Sequence, residues 1–135
     1  AILRNPEYPG WGYMIANGAT SVWERWEAEM QNEMHSFNHP MFGSYDAFLY
    51  RFLAGINVCD DAVACDKIAI EPVFAQSLDF VRGSLDTVRG RIVSEWKREN
   101  GKVALRVVVP HGTSAEIKFA GNVYRVGAGE YKYER

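Results

Sequence analysis

The sequence predicts an α+β chain, with helices and loops up to about residue 66 and an antiparallel β-sandwich after it. Three observations predict this. Tyr45, Phe48, Leu49, Phe52, Leu53 and Ile56 lie on one helical stripe. Beyond residue 66 the hydrophobic period shortens from about 3.6 residues to 2. Finally, Asn100-Gly101, a strong short hairpin signal, joins two alternating runs at 89–98 and 102–109.

The elements follow in order. Pro6, Pro9, Gly10 and Gly12 stop any helix entering at Ile2. Residues 11–16 fit a short helical turn ended by Asn17-Gly18. Residues 27–37 form a polar connector with room for one or two helical turns. His39 precedes Pro40 and is therefore extended, because the proline ring excludes the α region for its neighbour. Ser44 is an N-cap and Asp46 sits in the first turn of the helix that Gly55 stops. The aromatic stripe of that helix is expected in the core. Strands are expected at 67–72, 78–85, 89–98, 102–109, 113–119, 122–126 and 130–133, with tight Gly-rich turns between them.

With 135 residues the chain is long enough for a sizeable core, in one domain or two small halves. Its net charge of −2, without blocks of like charge, gives no nucleic-acid or anionic-membrane surface. No apolar run approaches the roughly 18–20 residues of a membrane-spanning helix. Ala1-Ile2-Leu3-Arg4 has no Met and no signal-peptide layout, as in a chain entered mid-element, so a fragment of something longer is expected. Cys59 and Cys65 lie close enough for a disulfide, with free thiols as the alternative. Two Cys without a nearby His or second Cys pair do not make a zinc site, and Asp60, Asp61 and Asp66 read as solvated loop acids and not as a calcium loop. No metal and no cofactor is expected.

The stretch with chemical promise is Asn17-Gly-Ala-Thr-Ser-Val-Trp-Glu-Arg-Trp26. Indole faces stack on the C–H faces of a sugar while a carboxylate takes its hydroxyl hydrogens. In an extended segment Glu24 and Trp26 share one face, Trp23 and Arg25 the other. The plainer reading makes the indoles core and the charges a solvated edge. Glu27 and Glu29 read as solvated connector residues, His35 and His111 as exposed loop residues. Trp96 reads as core or inter-domain packing.

That stretch, together with Tyr8-Pro-Gly-Trp-Gly-Tyr13 and Asn38-His-Pro-Met-Phe-Gly-Ser44, resembles the C-terminal part of bacterial α-L-rhamnosidases of glycoside hydrolase family 78. Arg51-Phe-Leu-Ala-Gly-Ile56, Lys67-Ile-Ala-Ile-Glu-Pro72, Gly90-Arg-Ile-Val-Ser-Glu-Trp-Lys97 and Val126-Gly-Ala-Gly-Glu-Tyr131 fit in the same order. The resemblance implies that residues 1–66 are the last helices and loops of an (α/α)6 barrel, and that 67–135 are the all-β domain after it. It also implies that Glu24 is the general base of an inverting glycosidase and that His39 contacts rhamnose. Trp26, by the face it shares with Glu24 and not by the resemblance, is a further candidate substrate contact, with packing as the alternative. The general acid would lie upstream, so the chain alone is expected to be inactive. The expected partner is a rhamnose-containing glycoside or polysaccharide. A barrel fragment is also expected to self-associate, or to leave part of residues 1–58 poorly ordered. For the bacterial parent, cytoplasmic, periplasmic and secreted locations all stay open. A reading from a different class is a non-catalytic sugar-binding or structural β-sandwich module, which exposed coplanar aromatics on the sandwich would favour.

Overall fold

The structure, a computed structural model, describes residues 5–28 and 35–135. The chain divides into two compact units, Ala1–Asp46 and Ala47–Arg135.

In the first unit, α1 (Trp11–Ala16) follows Gly10 and buries Met14. Its end is closed locally: Gly18 takes a φ of +84°, and Ala19 N–H returns to the Met14 carbonyl at 2.9 Å. Such a left-handed residue is the usual glycine stop of a helix. Pro40–Phe42 forms one 3-10 turn, entered from His39 in the extended conformation that a following proline demands. A further helical turn, α2, spans Tyr45–Phe48 with Asp46 in its first turn. The helical turns expected within 27–37 fall partly on residues outside the described set, and the described flanks of that connector are irregular.

The second unit opens with a π-type helical turn, Leu49–Leu53, and then holds two four-stranded sheets. The strands are β1 (Ile56–Val58), β2 (Lys67–Ile70), β3 (Phe80–Thr87), β4 (Gly90–Glu99), β5 (Lys102–Val109), β6 (Ser114–Phe119), β7 (Asn122–Val126) and β8 (Gly129–Glu134). One sheet runs β1-β2-β6-β7 and the other β3-β4-β5-β8. Alternation puts Ile68, Ile70, Ile117 and Phe119 of the first sheet, and Ile92, Trp96, Leu105 and Val107 of the second, into a shared core. The β4–β5 hairpin turns at Asn100-Gly101, both with positive φ, as a two-residue turn matching the strand twist requires. Trp96 is core: 2% exposed, it donates its indole N–H to the Leu53 carbonyl at 2.9 Å. Ser94 Oγ donates to the Ala54 carbonyl at 2.6 Å. These two bonds satisfy carbonyls at the end of the helical turn that lack intrahelical partners.

Four expectations need correcting. The sandwich is not wholly antiparallel, because β2 and β6 pair in parallel. Ile56, assigned to the helical stripe, begins a strand that lies ahead of residue 66. The helix expected before Gly55 is present, as Tyr45–Phe48 running on into the π-type Leu49–Leu53, but helical runs are few and short, and among the described residues the fold is mostly a two-sheet sandwich. The aromatic stripe is not core, since Phe48 and Phe52 stack on each other at 5.1 Å while staying about half exposed.

Candidate functional site

The stretch around Glu24 is built by pairing two irregular segments of the first unit. His39 N–H donates to the Val22 carbonyl at 2.7 Å, and Glu24 N–H donates to the Ser36 carbonyl at 2.9 Å. Ser21 Oγ donates to the Phe37 carbonyl. Ser36 N–H then returns to Glu24 Oε2 at 2.7 Å, so Glu24 is tied to Ser36 through backbone and side chain together. Glu24 Oε1 takes no hydrogen bond from the described residues. The carboxylate is held by one oxygen and half-buried.

The backbone bends at residues 24–26, so the strict alternation expected of an extended strand is not kept. Trp23 is buried, 5% exposed, with its ring 5.0 Å from Phe37 in an edge contact. Trp26 stacks on Phe42 at 4.3 Å and meets the edge of Trp11 at 5.2 Å. Packing therefore occupies part of both indoles. Pro40 and its 3-10 turn supply the ring that Trp26 rests on. The same turn fixes His39, whose Nδ1 accepts from Met41 N–H at 3.1 Å. An accepting Nδ1 puts the neutral ring's proton on Nε2, an assignment read from the hydrogen-bond pattern. Nε2 is thus a donor, suited to a hydroxyl oxygen.

One residue, His35, differs from its sequence reading. Glu27 is exposed, as expected, and has a local partner as well. Its own backbone N–H and then the Tyr8 hydroxyl, 3.0 Å away, hold its carboxyl below the usual range, and the same bond raises Tyr8. His35 is partly buried against Phe37 at 5.0 Å, with Nε2 buried and unpaired among the described residues. Glu29 lies outside the described residues. His111 is exposed, as expected. Ser36 went unremarked in the sequence. Its only signal there is Ser-Phe-Asn, a short polar spacing that favours a side-chain turn.

Elsewhere the chemistry is sparse. Cys59 and Cys65 are free thiols, with Cys59 pushed up by burial. Asp61 pairs with Lys67 at 2.6 Å and Asp66 accepts from Val63 N–H, so these two loop acids have local partners. No cluster of His, Cys, Asp and Glu among the described residues could hold a metal. On the outer face of the β3-β4-β5-β8 sheet a hollow of about 600 Å³ is lined by Phe80, Arg82, Lys97, Ala104 and Arg106. Phe80 is the one exposed aromatic on that face among the described residues. It has no coplanar partner there.

Comparison with known proteins agrees with the order of these elements. Residues 1–53 match the family profile of the bacterial alpha-L-rhamnosidase 6 hairpin glycosidase domain, and residues 60–134 that of the bacterial alpha-L-rhamnosidase C-terminal domain. An alpha-L-rhamnosidase of Formosa agariphila is 34% identical over 123 residues, 87% of this chain and 13% of that protein. The structure of alpha-L-rhamnosidase from Dictyoglumus thermophilum superposes with a TM-score of 0.86 at 32% identity, over 98% of this chain and 18% of that one. Streptomyces avermitilis alpha-L-rhamnosidase, solved complexed with L-rhamnose, gives a TM-score of 0.87 at 26% identity, over 99% of this chain and 15% of that one. The chain thus spans less than a fifth of the length of these relatives. It belongs to the bacterial α-L-rhamnosidase family, joining a stretch of the six-hairpin glycosidase domain to the C-terminal domain.

Proposed function

We propose that this chain is the part of an inverting α-L-rhamnosidase that supplies the general base, with rhamnose-containing glycosides or polysaccharides as substrates of the whole enzyme. Glu24 is the base, and His39 and Trp26 are substrate contacts. The residues ahead of β1 complete an (α/α)6 barrel with segments from elsewhere in the parent, and the sandwich, β1 included, follows it. The observation that carries this reading is the tethered carboxylate. Glu24 Oε2 is held by Ser36 N–H at 2.7 Å while Oε1 takes no bond from the described residues. An inverting glycosidase needs a carboxylate that holds a water on the face opposite the leaving group, about 6.5–9.5 Å from the general acid. One oxygen fixed by a backbone N–H, beside one that the described residues leave unbonded, suits a carboxylate that holds water. His39 Nε2, the donor left by the Met41 contact, suits a sugar hydroxyl.

Glu24→Gln in the full-length enzyme keeps the shape and removes the proton acceptor. Turnover of an aryl α-L-rhamnoside should fall by about 10²–10⁴-fold with little change in KM. Near-normal turnover would make Glu24 a structural acid. His39→Ala should instead raise KM. The alternative, a sugar-binding sandwich, has only the solitary Phe80 in its favour.

A further inference from the structure

The tether on Glu24 has its own support, and that support is one side chain. Ser36 Oγ accepts from Asn38 N–H at 3.0 Å and donates to the Asn38 carbonyl at 3.0 Å. The hydroxyl therefore closes a turn over residues 36–38 on itself. Phe37 and His39, on either side of Asn38, are fastened to Ser21 and Val22. With both neighbours fixed, the turn decides where the Ser36 N–H points, and it points at Glu24 Oε2. The same turn leads directly into His39, whose ring is fixed by Met41.

We propose that Ser36 is a positioning residue. Its hydroxyl sets the 36–38 turn, and its backbone N–H holds one carboxylate oxygen of Glu24 so that the other is aimed at the attacking water. The role rests on the reading of Glu24 as the base. In such a site a misplacement of about 1 Å can cost 10²-fold in rate, so losing the turn should affect turnover more than affinity. No other donor among the described residues holds Oε2.

The test is made in the full-length enzyme on an aryl α-L-rhamnoside. Ser36→Ala should lower kcat by about 10–100-fold, with KM within about twofold and the thermal midpoint unchanged. Ser36→Thr, which restores the hydroxyl, should recover most of the lost kcat. In the 135-residue chain itself, the Ser36 amide should exchange with solvent faster once Glu24 is replaced by Ala. A wild-type kcat for Ser36→Ala would overturn the proposal. So would a loss that Thr does not repair or that follows the thermal midpoint. Glu24→Gln measured in parallel separates the two readings. If it abolishes turnover while Ser36→Ala is silent, only the positioning role fails. If Glu24→Gln is silent, the base assignment fails and takes the positioning role with it.

Discussion

At the scale of single residues, the chain is most constrained where a side chain is missing. Gly55 has a φ of +71°, and a Cβ there would lie 2.2 Å from Pro72 N. Its carbonyl accepts from Glu71 N–H at 2.9 Å, so the two segments touch backbone to backbone. Gly83 is a second close approach, with an added Cβ meeting Ala54 Cβ at 2.4 Å. Left-handed backbone costs an L-residue about 1–2 kcal/mol, and overpacking about 1–3 kcal/mol more. Gly55→Ala should therefore lower stability by about 2–5 kcal/mol, read as a fall in the urea midpoint with an unchanged slope. A midpoint within error of wild type would mean that Pro72 can move. Gly55 was legible only as a helix stop. Its second role depends on Pro72, a contact between segments that no local pattern records.

At the scale of elements, the β4–β5 hairpin was fully legible, because turn chemistry and alternation coincide at Asn100-Gly101. β1 was not legible. With three residues it is too short to show a period, and Ile56 also fits the helical stripe before it. The pairing of Glu24 with Ser36 was equally hidden, since it joins irregular segments by backbone groups that every residue carries. The charge ladder across β4, β5 and β8 gives an element-scale prediction. Arg106 reaches Glu130 at 3.0 Å and Glu95 at 3.0 Å. Arg106 and then Lys132 hold the Glu130 carboxyl at about 2, against an ordinary value of 4.5. Because Glu130 ionises more readily in the folded chain, its contribution is complete above about pH 4.5 and is lost as pH falls towards 2. Glu130→Gln should flatten the decline of the urea midpoint over that window and leave the midpoint near neutral pH little changed, since an exposed pair contributes little. An unchanged acid decline would remove Glu130 from that account.

At the scale of the whole molecule, the stripe that the sequence placed in a core surfaces at Phe48 and Phe52, each about half exposed, with Tyr50 exposed beside them. Aromatic surface of this kind favours association. The 135-residue chain should sediment heavier as its concentration rises, and Phe48→Ser with Phe52→Ser should restore a constant monomer mass. A wild-type chain that stays monomeric at high concentration would count against it. The parallel pairing of β2 with β6 has a consequence in time. Ile68 lies opposite Ala115, and the whole β3-β4-β5 meander lies between them in the chain. The meander closes through short turns and can form early. The β2–β6 ladder must wait until the long intervening loop has been closed, against chain entropy that only the assembled core repays. The sandwich should therefore fold from its local sheet outward, at a rate set by its most distant pair of neighbours.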